Sequence, residues 1–378
     1  MSLFLDAQEQ WKDFLDNKIE NYEKLRNFDY GPTNESSVSK LSPFISHRVL
    51  LEYELIKDIK NQYQSKRVKK FIDEVYWRIY WKGWMENRPQ VWSRFILERD
   101  YEYDHEIYNK AINGNSELSF FNFWVDELKT HNYLHNHTRM WFASTWIFNL
   151  GLPWQLGADF FFRHLYDGDA ASNILSWRWV AGLHTKGKQY HFSPENLRKF
   201  SNNRFNIQRI DNRQTLLEDS SPIELEENIY KFNTEQKSES LILFENDLHV
   251  PTIRKITSNY KNIFIILLKN EQRQIKLSEA VLNFKQRIVS EFIKQFDNVI
   301  EINPASLQDN LQNIDHLDMI YPCVGDNNDF MNNFQLLSNK VISKIFREED
   351  LFAWKFAKKG FFKFKENIPK INNYVFKK

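Results

Sequence analysis

The stretch YDGDAASNILSWRWVAG, residues 166–182, places two aspartates, an amide and two indoles in one turn and the segment after it. Asp169, Asn173, Ser176 and Trp177 fall at i, i+4, i+7 and i+8, which is one face of a helix. An acid ahead of a helix caps its free amides. Capping accounts for Asp167 or Asp169, but not for both together with Asn173 on the tryptophan face. A second segment repeats the pattern: Phe71, Glu74, Trp77, Arg78 and Trp81 line one face. A carboxylate and a guanidinium between indoles are costly to bury unless they find partners. The competing account is an amphipathic helix whose Glu and Arg pair with neighbours and reach water. In YLHNHTRMW, Asn136, Arg139 and Met140 share a face. His131 and His135 have the i, i+4 spacing a metal can use, but no carboxylate in the same turn completes a motif, and no metal is expected. Three helices with mixed polar and aromatic faces can converge on one pocket. Such a pocket suits a large planar ligand with polar edges and a phosphate tail.

The elements that must position these groups follow from hydropathy. Residues 1–212 read as helical, with apolar residues recurring every three or four positions. Residues 213–238 are polar and acidic and read as a linker. Residues 239–378 carry short apolar runs at 241–244, 263–268, 299–302 and 318–321, and a helix over 276–296 with Ser278 as its N-cap. The expected fold class is therefore α + α/β, an all-helical domain followed by a smaller parallel-sheet α/β domain. Neither common glycine-rich phosphate loop is present.

Composition narrows the rest. With 51 Lys and Arg against 50 Asp and Glu, overall charge announces no nucleic-acid partner. Charge is uneven, however: Arg178, Lys186, Lys188, Arg198, Lys199, Arg204 and Arg209 face only Glu195 between positions 177 and 209. That is a local basic surface or a solvated loop. The one cysteine, Cys323, excludes an intrachain disulfide framework, a four-cysteine zinc site and an iron–sulfur cluster. The amphiphilic start is no signal peptide, and no apolar run spans a membrane, so a cytoplasmic monomer is expected.

The segments SKLSPFISH, EVYWRIYW, HNHTRM and DGDAASNILSWRWVAG resemble, in order and near-matching spacing, the FAD-binding domain of the photolyase/cryptochrome family over most of residues 20–205. The resemblance implies FAD as cofactor, held by Tyr22, Ser39, Leu41, Ser42, Phe71, Arg78, Arg139, Asp167, Asp169 and Asn173. Within that set, Arg139 and Asp167 resemble the ion pair beside the flavin ring, and Asn173 the side chain facing its N5. Trp177 and Trp154 resemble the first two members of a tryptophan electron-transfer chain, with Trp92 as the candidate third. Glu74, Trp77, Asn136, Met140 and Trp179 match positions lining the pocket for a flipped cyclobutane pyrimidine dimer. The family's enzymes for the (6-4) lesion carry histidines where Asn136 and Met140 stand. Arg178, Lys186, Lys188 and Arg198 would follow the backbone of ultraviolet-damaged DNA.

The implied activity is a deoxyribodipyrimidine photo-lyase, a flavoprotein that splits the dimer by light-driven electron transfer. The alternative is a cryptochrome-type blue-light photoreceptor without repair activity. Val38, Phe71 and Ser176 depart from the family's usual Thr, Trp and Gly. LILFENDLHV, 241–250, resembles the opening strand of the family's antenna domain, and KKGFFKFKENIPK its close. That order implies a circular permutation, with the antenna-like domain at the C-terminus. A second, antenna chromophore is implied without its identity, since Glu245 and His249 replace arginines usual in that turn.

Overall fold

The computed structural model describes residues 2–376 apart from 35–36, 65, 100–101, 214–216 and 227–235. Its N-terminal half comprises α1 (Leu3–Asp13), α2 (Ser42–Ser46), α3 (Glu52–Gln62), α4 (Lys69–Glu86), α5 (Gln90–Leu97), α6 (His105–Ile112), α7 (Ser119–His131), α8 (Asn136–Ser144), α9 (Trp154–His164), α10 (Ala170–Val180) and α11 (Pro194–Phe200), with shorter turns between them. The C-terminal half alternates β1 (Ser240–Phe244), α12 (Val250–Ile256), β2 (Asn262–Ile266), α13 (Glu279–Ile293), β3 (Val299–Ile302), β4 (His316–Ile320), α14 (Asp326–Ser338) and β5 (Val341–Ile345). It closes with α15 (Glu348–Trp354), α16 (Phe361–Lys365) and α17 (Ile368–Phe376). The chain thus adopts the expected class, helices followed by a smaller parallel α/β unit.

All strand pairs are parallel, in the order β3-β2-β1-β4-β5. β1 is buried along its whole length, as a central strand covered on both faces requires. The chain moves outward from β1 to β3, then returns to place β4 on β1's other side. That reversal opens a crevice at the carboxyl ends of β1 and β4. The Ser278 cap is as expected: its hydroxyl accepts from the Val281 amide, opening α13. β5 was not anticipated.

α4 is the axial element. It buries Tyr76, Ile79, Tyr80, Trp81 and Trp84 and packs against both α10 and α15. Gly83 allows the second contact, because a Cβ there would lie 2.5 Å from the Trp354 ring. The halves are joined by buried charge. Arg48 donates to Asp247 at 3.2 Å and to Asp350 at 2.5 Å, and Arg347 also binds Asp247. Burial alone would raise the Asp247 carboxyl; Arg347 and Arg48 outweigh it and hold it low.

The expected linker needs correction where it is described; 214–216 and 227–235 lie outside the described residues. Residues 217–226 form a strap along the helical half. Arg94 donates to the Ser221 and Pro222 carbonyls at 2.6 and 2.8 Å, and the Glu226 amide donates to the Asn87 carbonyl at 2.9 Å. Backbone carbonyls, which composition does not reveal, hold it there.

Candidate functional site: a charged cleft among the helices

The turn before α10 gathers the predicted groups. Asp169 caps α10, one oxygen accepting from the Ser172 amide at 2.8 Å and the other from Arg78 of α4 at 2.8 Å. Arg139 of α8 donates to Asp167 at 2.9 Å and to the Leu134 carbonyl at 2.9 Å. Burial pushes the Asp167 carboxyl up, but Arg139 outweighs it with help from the Ser42 hydroxyl, and the group stays ionised. Asn173, one turn into α10, is buried and donates to the Ala158 carbonyl of α9 at 2.8 Å. Ser42, Arg78, Arg139, Asp167 and Asp169 therefore meet from four separate elements, with Asn173 adjoining.

This ring is left partly unsatisfied. Arg78 Nε, Asp167 Oδ1, Ser172 Oγ and Trp177 Nε1 are buried without hydrogen-bond partners. Arg78 Nε sits 3.5 Å from Glu52, an ion-pair distance without hydrogen-bond geometry. Buried polar atoms rarely go unpaired, and several at one place mark donors and acceptors reserved for a ligand. Guanidinium, hydroxyl and carboxylate groups match phosphates, ribose hydroxyls and the polar edge of a flavin.

The other predicted cofactor residues are more dispersed. Ser39 accepts from the Leu41 amide at 3.5 Å, and Leu41 is fully buried ahead of α2. Tyr22 lies edge-on to Phe71 at 5.1 Å, and Phe71 also packs on Phe14 at 4.7 Å and near Trp11 at 6.0 Å. On the predicted lesion side, Asn136 is exposed at the first residue of α8, with Met140 half-buried one turn on. Trp179 is half-buried, 5.8 Å from Tyr190. Glu74 is bridged by Lys70 at 2.9 Å and Arg26 at 3.4 Å. Trp77 stacks on Phe361 of α16 at 3.8 Å and 12°, so one of its two faces is already covered. His131 is exposed, whereas buried His135 uses Nδ1 to accept from the His137 amide.

Trp177 is 2% exposed and packs over Gly157 so closely that a Cβ there would sit 2.2 Å from its ring. Trp154 approaches Phe95 at 5.9 Å, and Phe95 approaches Trp92 at 6.0 Å. Lys188 and Arg198 are exposed, and exposed Lys186 pairs with Glu218 at 3.3 Å. Arg178 does not join that surface, which corrects the DNA-contact expectation. It is 4% exposed and grips Asp219 of the strap with two hydrogen bonds, 2.6 and 2.7 Å. One residue on from buried Trp177, a helix turns about 100°, which aims Arg178 at the strap.

Residues 71–215 match the family model described as the FAD-binding domain of DNA photolyase. Over that span, in its helical half, the chain is similar to the photolyase/cryptochrome family. A deoxyribodipyrimidine photo-lyase of Buchnera aphidicola subsp. Baizongia pistaciae is 28% identical over 188 residues, 45% of this chain and 39% of that one. A cryptochrome DASH of Natronomonas pharaonis is 25% identical over 185 residues, 46% of this chain and 38% of that one. A crystal structure of a class III photolyase from Agrobacterium tumefaciens overlaps at a TM-score of 0.46 and 24% identity, covering 53% of this chain and 42% of that one. The chain thus spans less than half the length of these relatives. The matched model is that of an FAD-binding domain, and the cleft of charged and hydroxyl groups lies within the matched span and the turns that flank it.

Sequence reasoning missed a supporting layer. Glu52 accepts from Lys82 at 2.9 Å, and burial, which would raise its carboxyl, is outweighed by Lys82, Arg48 and Arg78, holding it at about 2. Thirty residues separate this pair, so local spacing carried no sign of it. A second charged site lies at the β1/β4 crevice, a cavity of about 90 Å³ lined by Glu245, Arg273, Lys285, Cys323 and, from the photolyase-type half, Glu86. Here Glu245 binds Arg273 at 2.8 Å and Lys285 at 3.5 Å. His47 Nδ1 donates to the Pro43 carbonyl at 2.7 Å, so Nε2 accepts from Lys285 at 3.0 Å. Burial and the Lys285 charge lower the imidazole to about 3.

Proposed function

We propose that this chain is a light-driven, FAD-dependent repair protein that splits cyclobutane pyrimidine dimers in DNA. FAD supplies the light absorption and the transferable electron when bound. Ser42, Arg78, Asp167, Asp169 and Arg139 hold it through charge and hydrogen bonds, with Tyr22, Ser39, Leu41 and Phe71 on its flank. Asn173 presents its amide to the ring. The observation that carries the substrate reading is the run Asn136, Arg139, Met140 on α8. Asn136 is exposed at the helix start, while Arg139 on the same face grips Asp167, so a lesion-facing amide is built onto the cofactor's own ion pair. Asn136 and Glu74 offer hydrogen bonds to base edges, and Met140 and Trp179 offer apolar surface for the flipped dimer. Exposed Lys186, Lys188 and Arg198 supply phosphate contacts. The α/β half takes the antenna domain's part, placed after the helical half.

A second reading, a photoreceptor without repair activity, draws support from two contacts: Phe361 covers one face of Trp77, and Lys70 with Arg26 engages Glu74. The test is direct. Purified, FAD-loaded and reduced full chain is mixed with a thymine-dimer oligonucleotide and illuminated. Loss of the dimer only in the light is expected. An intact dimer, with flavin bound and reduced, overturns repair in favour of the second reading.

A further inference from the structure

Resting on the flavin reading above, we propose that electrons reach the cofactor of this protein by an aromatic route through Trp146, Tyr108 and Tyr103. The predicted route runs from Trp177 towards Trp154 and Trp92. Trp154 meets Trp92 by way of Phe95, a ring far harder to oxidise than indole or phenol, with centroid steps of 5.9 and 6.0 Å. Trp92 is also 2% exposed, its indole N–H tied to Asp329 at 2.7 Å, which keeps it from an external reductant.

The other route has no such gap. Trp177 stands 6.3 Å from Trp146, Trp146 stands 6.0 Å from Tyr108, and Tyr108 stands 5.1 Å from Tyr103. Each member is an indole or a phenol, and both tyrosines are half-buried, so the path opens to solvent. A π-helical turn, Thr145–Asn149, sets Trp146 between the end of α8 and α6. Such turns recur at functional sites. Trp146 is fully buried, with its N–H donated to the Pro153 carbonyl at 2.9 Å. Burial shuts its N–H off from solvent, which makes it a relay rather than an end point.

The bookkeeping closes. Trp177 gives one electron towards the cofactor under light, Trp146 refills Trp177, and Tyr108 refills Trp146. The phenol of Tyr108, or of Tyr103 beside it, releases its proton to water and is left a neutral radical. A thiol from solution then returns one hydrogen atom and is itself oxidised by one electron.

The test uses the FAD-loaded full chain with an added thiol, read by flash absorption and electron paramagnetic resonance. In the wild type a light-induced tyrosyl radical is expected. Tyr108→Phe combined with Tyr103→Phe, which keeps both rings in their packing, abolishes that signal. Trp146→Phe abolishes it too, with flavin stoichiometry unchanged, while Trp154→Phe leaves it intact. A wild type showing only tryptophan radicals, or a signal lost in Trp154→Phe and kept in Trp146→Phe, overturns the route but not the flavin reading. A wild-type chain that binds no FAD overturns the flavin reading, and the route with it.

Discussion

Two places in this molecule bury dense charge, and they treat it differently. In the cleft among the helices, Arg78, Arg139, Asp167 and Asp169 pair with one another and still leave Arg78 Nε, Asp167 Oδ1 and Ser172 Oγ unpartnered. Where the helical half meets the sheet, Arg48, Asp247, Arg347, Asp350, Glu245, Arg273 and Lys285 all have ionic partners. Arg48 even adopts a left-handed φ of 51°, a conformation that persists only when surrounding contacts over-determine it. Charged groups with atoms left open mark the place built for a ligand; at the joint each of those charges is paired, and among the described residues lining its cavity only the amide oxygens of Asn246 and Asn327 lack partners. Charge content alone distinguishes neither.

The largest expected effect tests the joint. Arg48→Met strands Asp350 without its cation, and breaking a buried pair of this kind costs about 3–5 kcal/mol. Urea unfolding followed by far-ultraviolet circular dichroism measures it; a loss below about 1 kcal/mol, the scale of an exposed pair, shows that the network does not join the halves. A somewhat smaller effect concerns Glu86, which lines the same crevice but is held by neutral donors, the Tyr321 hydroxyl at 2.8 Å and the Val324 amide at 2.7 Å. Burial raises its carboxyl from 4.5 to about 7. A raised carboxyl contributes stability that is complete below its unfolded value and is lost as pH rises through its folded value. Stability should therefore decline between about pH 4.5 and about pH 7, by on the order of 3 kcal/mol. Glu86→Gln removes that slope. Glu245, held at about 2 against burial by Lys285 and Arg273, works in the opposite window, its contribution disappearing only as pH falls from about 4.5 towards 2.

The same contrast explains what the sequence could disclose. Asp167, Asp169, Asn173 and Trp177 were legible because one helix and its cap bring them together at fixed spacing. The apolar runs of β1 to β4 were legible because strands buried on both faces leave no polar interruption. β5, VISKI, is a half-buried edge strand with a single Lys and Ser breaking its run, and it gave no comparable signal. Arg178 reads as one of a basic series, yet its partner Asp219 lies 41 residues away in a strap that composition presents as a linker. Phe361 and Trp77 are nearly three hundred residues apart and meet only because α16 returns to α4. Local chemistry was readable; the pairing that decides whether a charge is free was not.

The smallest of these effects is the one that separates a binding ring from a joint. Arg78 is 14% exposed and Asp169 22%, so removing the guanidinium leaves Asp169 able to reach water. Glu52 keeps Lys82 at 2.9 Å. Arg78→Met should accordingly destabilise the flavin-free protein far less than Arg48→Met. Its cost should appear on binding instead, because the charge and the unpartnered Nε hydrogen that would meet a phosphate are gone. Charge-assisted hydrogen bonds of this sort are worth roughly 1.5–3 kcal/mol, or about 10- to 150-fold in the FAD dissociation constant. Titrating flavin fluorescence against apoprotein measures that change, and a denaturant curve on the same sample measures stability. If Arg78→Met unfolds the apoprotein as readily as Arg48→Met while FAD still binds normally, the unpartnered atoms of the cleft are not held for a ligand, and the distinction between the two sites fails.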